Sequence, residues 1–292
     1  MSFFVVSCSN LSMNSHGLNN TTMSRSIEST QLKRYYYRTS RRLKSRGLLR
    51  TDQGVADSPY TSRNLIENFE KIALYDEYII KDGKFISEET ESKIKRWETA
   101  IKINVIHGKT NSINQIKIDK KNISNFSHRL SNLTGLSIEG NKSESNFIIL
   151  FLDLDEQRNF GEKLKELMPQ LTSAMIEAIT SSPRTTFCSA FALSKPSNAY
   201  EYTAAIILIK SEHSRLMRKS CIHEEMAQSL GLSNDSKIAR PSIFNDDEEF
   251  AFLTTHDENL LKILYDNRLK PGMNNKDALP IVTKIAKELM NF

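Results

Sequence analysis

The sequence predicts an α+β fold: a mixed sheet of about four to five strands with a backing helix, then an active-site-type helix and a helical C-terminal part. Three observations lead there. Phe147–Leu152 and Ala204–Ile209 are unbroken apolar runs, the pattern of strands covered on both faces. A segment between two strand patterns, residues 118–133, carries apolar residues at helical spacing. Beyond residue 254 only helical patterns occur. The chain of 292 residues, 39% hydrophobic and 26% charged, can bury one large core. No run of 18 apolar residues is present, which excludes a membrane-spanning helix of the usual kind.

Residues 1–60 are rich in Ser, Asn, Thr and Arg without apolar periodicity, and read as a flexible or processed segment with a basic tether. Folded structure, a single domain over 61–292, is expected to begin where Thr61-Ser62 precede Leu65, Ile66, Phe69 and Ile72 at helical spacing. Residues 78–86 read as a hairpin turning at Asp82-Gly83. Trp97–Ile106 alternates like a half-buried strand. Residues 118–133 form the helix, with Asp119 placed to cap it. Residues 156–180 give one or two helices broken at Pro169. Strands follow at 187–193 and 200–209, then a helix over 214–230 stopped by Gly231. A long loop spans 232–254, and helices return at 257–268 and 276–290.

Charge is uneven. Lys33, Arg34, Arg38, Arg41, Arg42, Lys44, Arg46 and Arg50 crowd one acid-free block, and removing those eight charges from the net +5 leaves the remainder at −3. Tyr35, Tyr36 and Tyr37 lie among them, but no stacking module or helix-turn-helix accompanies them, so nucleic acid is not the expected partner. An anionic membrane surface suits the block better. Val5-Val6-Ser7-Cys8-Ser9 resembles the end of a bacterial lipoprotein signal, which implies lipidation of Cys8, although the apolar stretch is short and no basic start precedes it. Cys188 and Cys221 then remain as a pair: a disulfide in an oxidising envelope, or two buried thiols.

The chemistry concentrates in residues 221–235. His223-Glu224 begins a zinc-binding HExxH pattern that fails at Ala227. One residue later the spacing holds: Glu224-Glu225-x-x-Gln228-x-x-Gly231-x-x-Asn234. This resembles the long zincin motif with Glu224, Gln228 and Asn234 in the ligand places. Asp235 is an alternative third ligand, and Glu225 takes the place of the general base. Glu224 and Gln228 stack one turn apart on a helix, on the stripe shared by Met217 and Cys221, so burial there demands partners. An oxygen-only set suits a harder ion than zinc, although zinc or another divalent metal is what the resemblance implies. His223 and His256 are nitrogen ligands in reserve, or surface or capping histidines. Asp257 falls in the first turn of the next helix, behind Thr254 or Thr255 as cap.

Cys221–Asp235, Ser242–Asp247, Leu253–Asp257 and Leu264–Met273 together resemble a bacterial envelope family of unknown function, domain of unknown function number 2927, across roughly residues 60–290. The resemblance implies a secreted, periplasmic or lipoprotein setting and no established activity. Two functions are expected from a zincin-like core with replaced ligands. One is binding of a peptide or envelope protein along the edge strand. The other is metal-dependent peptidase or amidase activity with Glu225 as base. A third reading is a structural lipoprotein resting on anionic lipid through the basic block.

Overall fold

Residues 24–54, 56–81, 84–141, 143–245 and 247–290 are described by the structure, a computed structural model. Cys8, the Asp82-Gly83 turn and Asp246 lie outside them.

The first element overturns an expectation. Residues 27–45 are a helix, α1 (Ile27–Ser45), rather than a flexible tether. Ser26 caps it by accepting the Ser29 N–H. Ser29, Leu32, Tyr36, Thr39, Ser40 and Leu43 recur every three or four residues and are buried against the body. Half of that stripe is serine or threonine, which hid it among the arginines. Ser29 donates to the buried Glu212 at 2.7 Å, and Arg25 donates to the Ser211 carbonyl at 3.1 Å.

Helix α2 (Ser62–Ala73) starts in a capping box between Thr61 and Asn64. The strands β1 (Tyr75–Lys81) and β2 (Lys84–Glu91) pair as an antiparallel hairpin. The single strand expected over 97–106 is two, β3 (Arg96–Trp97) and β4 (Ile101–His107). Helix α3 (Ile113–Thr134) begins five residues earlier than the apolar pattern indicated, because Ser112 caps it. Asp119 is therefore no cap. It sits inside, accepting from Arg218, His107 and Gln115, and those bonds outweigh burial to hold its carboxyl below the usual range.

A short β5 (Ile138–Gly140) and the central β6 (Phe147–Leu152) come next. Three short helices, α4 (Leu154–Arg158), α5 (Gly161–Leu167) and α6 (Ser173–Thr180), replace the one or two expected. Then follow β7 (Cys188–Lys195), β8 (Asn198–Lys210), α7 (Arg215–Gln228), α8 (Thr255–Leu264) and α9 (Asn275–Leu289).

Strands β5, β4, β6 and β8 lie side by side and parallel, and β3 runs parallel to the start of β8. Strand β7 pairs antiparallel with the length of β8 and forms one edge of the sheet. The sheet has six strands, one more than the upper expectation, and the mixed α and β content is that of an α+β protein.

Alternation along β6 and β8 divides the interior in two. Phe147, Ile149, Phe151, Ala205, Ile207 and Ile209 enter the large core with α2, α3 and α7–α9. Ile148, Leu150, Leu152, Ala204, Ile206 and Leu208 enter a smaller core under α5 and α6. Both runs are apolar throughout because both faces are covered.

The loop 232–254 is held by specific bonds. Leu49 and Arg50 donate backbone N–H groups to Glu248 and Glu249, and Ala251 donates back to Arg50. Asp257 accepts from the Ser242 hydroxyl and from the N–H groups of Ile243 and Thr254.

Candidate functional site

Between the β1 strand, α6, the edge strand β7 and the C-terminal half of α7 lies a cleft of about 730 Å3. Helix α7 supplies its floor. Ser214 caps the helix, and its 3.6-residue turn puts Cys221, Glu224, Glu225 and Gln228 on the side facing β7. Cys221 is bonded to Cys188 in a disulfide, with the Cα atoms 5.9 Å apart. The edge strand is thus joined covalently to the floor one turn before the glutamates.

Glu224, Glu225, Gln228 and Asp235 all line the cleft, together with Asp76 and Glu77 of β1. Glu224 is half-buried and Glu225 is 4% exposed. Burial pushes both carboxyls well above the ordinary carboxylate range. The negative neighbours add to it: Glu248, Glu225, Asp235 and Glu77 for Glu224, and Asp235, Glu77 and Glu248 for Glu225. Glu248 is raised to about 7, by burial first and by its neighbour Asp247 second. Oε2 of Glu225 is buried with no hydrogen-bond partner among the described residues. The Gln228 amide donates to Asp235 at a long 3.5 Å. Lys95 is the one cation lining the cleft among the described residues, and Asp76 holds it at 2.6 Å.

The other residues singled out by sequence lie elsewhere. Asn234 is buried and faces away, donating to the Lys71 carbonyl and to Glu89, so it does not join Glu224 and Gln228. After Gly231 the chain is drawn toward α2 by the Asn234 N–H to Ile72 bond, which a helix-based motif could not foretell. His223 points into the core, stacked on Phe126 with ring centroids 4.0 Å apart, and its Nδ1 accepts the Leu253 N–H. Burial drives its pKa down to about 3, so the ring is neutral. His256 is fully buried between Asn68, Asp257 and the Tyr60 ring. Asp257 closes the capping box of α8 with Thr254. Within the 232–254 loop, Glu249 is bound by Arg240 and Arg50.

Whether these residues would fit a zincin metal is decided by the donors. One oxygen each of Glu224 and Glu225 and the Cys188 sulfur lie within 4.8 Å of one another, a metal-like spacing. That sulfur is spent in the disulfide. No histidine lines the cleft among the described residues. Zinc prefers nitrogen and sulfur donors, and this set offers only oxygens, so it does not fit zinc. Sequence reasoning missed Asp76, Glu77 and Tyr78, because nothing in β1 announces which element it faces. It also missed Phe191, whose ring meets Phe85 of β2 at 5.4 Å in the cleft wall.

A family model described as Protein of unknown function (DUF2927) matches residues 62–284, and α1 lies outside the match. No curated protein and no solved structure matches the chain.

Proposed function

We propose that this chain, which belongs to the DUF2927 family of proteins of unknown function, is a peptide- or protein-binding protein of the bacterial cell envelope with a degenerate zincin-like core. One observation carries the reading: the antiparallel edge strand β7 lines the same cleft as the acidic floor of α7. On its outer side β7 makes no backbone-to-backbone hydrogen bond among the described residues. An extended peptide can satisfy those groups by adding as a further strand, with alternate side chains directed into the cleft. The disulfide fixes β7 against α7, so strand and floor present one preformed surface.

The test is fluorescence anisotropy of labelled seven-residue extended peptides with the full chain. Binding is expected, and N-methylation of alternate peptide amides is expected to abolish it. Failure of every extended peptide to bind, or indifference to N-methylation, sinks the reading.

The approach of Glu224, Glu225 and the Cys188 sulfur favours a second reading, a metal-dependent peptidase or amidase with Glu225 as general base. Glu224, Gln228 and Asp235 would then be the ligands. The oxygen-only donor set weighs against it. Elemental analysis of the purified protein separates the two: stoichiometric metal lost in Glu224→Ala supports the hydrolase, and metal-free protein retires it.

The envelope setting belongs to the same proposal. Cys8 would carry a lipid, and the exposed cations of α1 would lie against anionic headgroups.

A further inference from the structure

We propose that the cleft floor is a subsite for one cationic side chain, the ammonium of lysine or the guanidinium of arginine, carried by the strand that β7 binds. This rests on the peptide-binding reading above and names its substrate class. Among the described residues six carboxyl groups line the cleft, those of Asp76, Glu77, Glu177, Glu224, Glu225 and Asp235. Against them stands Lys95, already engaged by Asp76. Low-dielectric walls focus such a field, and the occupant it favours is positive.

Charge alone would not define a site; the buried glutamate does. Glu225 is 96% removed from solvent, and its Oε2 has no donor among the described residues. A buried acceptor without a partner is costly, so a donor arriving with the ligand is rewarded. The nearby amide of Gln228 is turned to Asp235 instead. Burial and the negative neighbours keep Glu224 and Glu225 above the ordinary carboxylate range, which is the state a positive donor relieves.

The walls suit the rest of such a side chain. Phe85 and Phe191 line the cleft edge to face, and Tyr78 lines it too. Aromatic faces of this kind accept the aliphatic stem of lysine or the plane of arginine while the charged end reaches the floor. A divalent metal fits less well. Its sulfur donor is locked in the disulfide and Asn234 is committed to α2 and β2.

The experiment compares three labelled seven-residue extended peptides that differ only at the central residue: lysine, norleucine or glutamate. Anisotropy with the full chain is read at pH 7.5, with and without 1 mM EDTA. The lysine peptide is expected to bind about tenfold or more tightly than the norleucine peptide, with glutamate weakest. Glu225→Gln is expected to shrink the lysine preference to about threefold or less, with the melting temperature showing that the variant is folded. Asp235→Asn provides a second, more exposed variant with a smaller effect. Equal affinity for lysine and norleucine overturns the cationic subsite but leaves strand addition standing. Absence of binding by all three fails the peptide-binding reading itself. A lysine preference abolished by stoichiometric zinc or calcium that EDTA removes overturns the subsite in favour of a metal centre.

Discussion

Glu224 and Glu225 sit where neighbouring carboxylates and burial act in the same direction, and that coupling has a measurable sign. With both groups held above their ordinary range, part of the pair is protonated when an exposed glutamate would be ionised. Glu248, near 7, and the lining acids Glu77 and Asp235 extend the network, with Lys95 as counter-charge. A cation entering the cleft therefore expels protons, and its affinity rises with pH. Calorimetry at pH 7 in phosphate and in Tris is expected to give different binding enthalpies from that release; equal enthalpies would count against it.

His223 titrates in the opposite sense. Its folded pKa, about 3, lies below the unfolded value of about 6.5, so the unfolded chain takes the proton first. Its contribution to stability is present above pH 6.5 and declines as pH falls toward 3. His223→Asn keeps an acceptor for the Leu253 N–H but loses the stack on Phe126. The variant is expected to cost about 2 kcal/mol at pH 7.5 in urea unfolding. The gap should narrow by about 2 kcal/mol at pH 5, because only the wild type still carries that penalty. His223 also shows the limit of a motif read as letters. The spacing after it identified α7 and the cleft-facing Glu224 and Gln228, yet the histidine itself packs as an aromatic ring in the core.

Among elements, α7 and β7 act as one unit because the disulfide joins them. Replacing both cysteines by serine is expected to lower stability by about 2–4 kcal/mol and to weaken binding of extended peptides more than binding of free lysine amide. The end of α7 is equally committed. Gly231 has φ +118°, and a Cβ there would run into the Lys95 carbonyl oxygen. Gly231→Ala is expected to cost about 1–3 kcal/mol, read as a lowered urea midpoint.

Elements with plain periodicity were legible: β6, β8, α2, α7 and α9 lie within a few residues of their expected spans. Elements that depend on partners were not. The three residues of β5 pair only because β4 stands beside them. Helix α1 hides its inward stripe behind serine and threonine, since Ser29 is buried through a bond to Glu212, a residue 183 positions away.

At the scale of the molecule, the basic block is a docked surface rather than a tether. Lys33, Arg34, Arg38, Arg41, Arg42, Lys44 and Arg46 are exposed on α1 and its end, and none forms an ion pair among the described residues. Exposed Tyr37 lies among them, 5.9 Å from Arg41. Vesicles containing phosphatidylglycerol are expected to sediment the protein at 50 mM NaCl and to release most of it at 500 mM. Replacing Arg34, Arg38, Arg41 and Arg42 with glutamine should remove that binding while leaving the melting temperature within a few degrees. Binding that persists in the fourfold variant would assign the contact to another surface.

The N-terminal segment also sets where the protein may be cut. Leu43 and Leu49 shelter Met217 and Ala251, and residues 49–50 stitch the backbone of 248–251 from outside the family match. A fragment begun at residue 62 would bare this greasy seam and unfasten the ribbon that bears Glu248. Such a truncation should express poorly or aggregate.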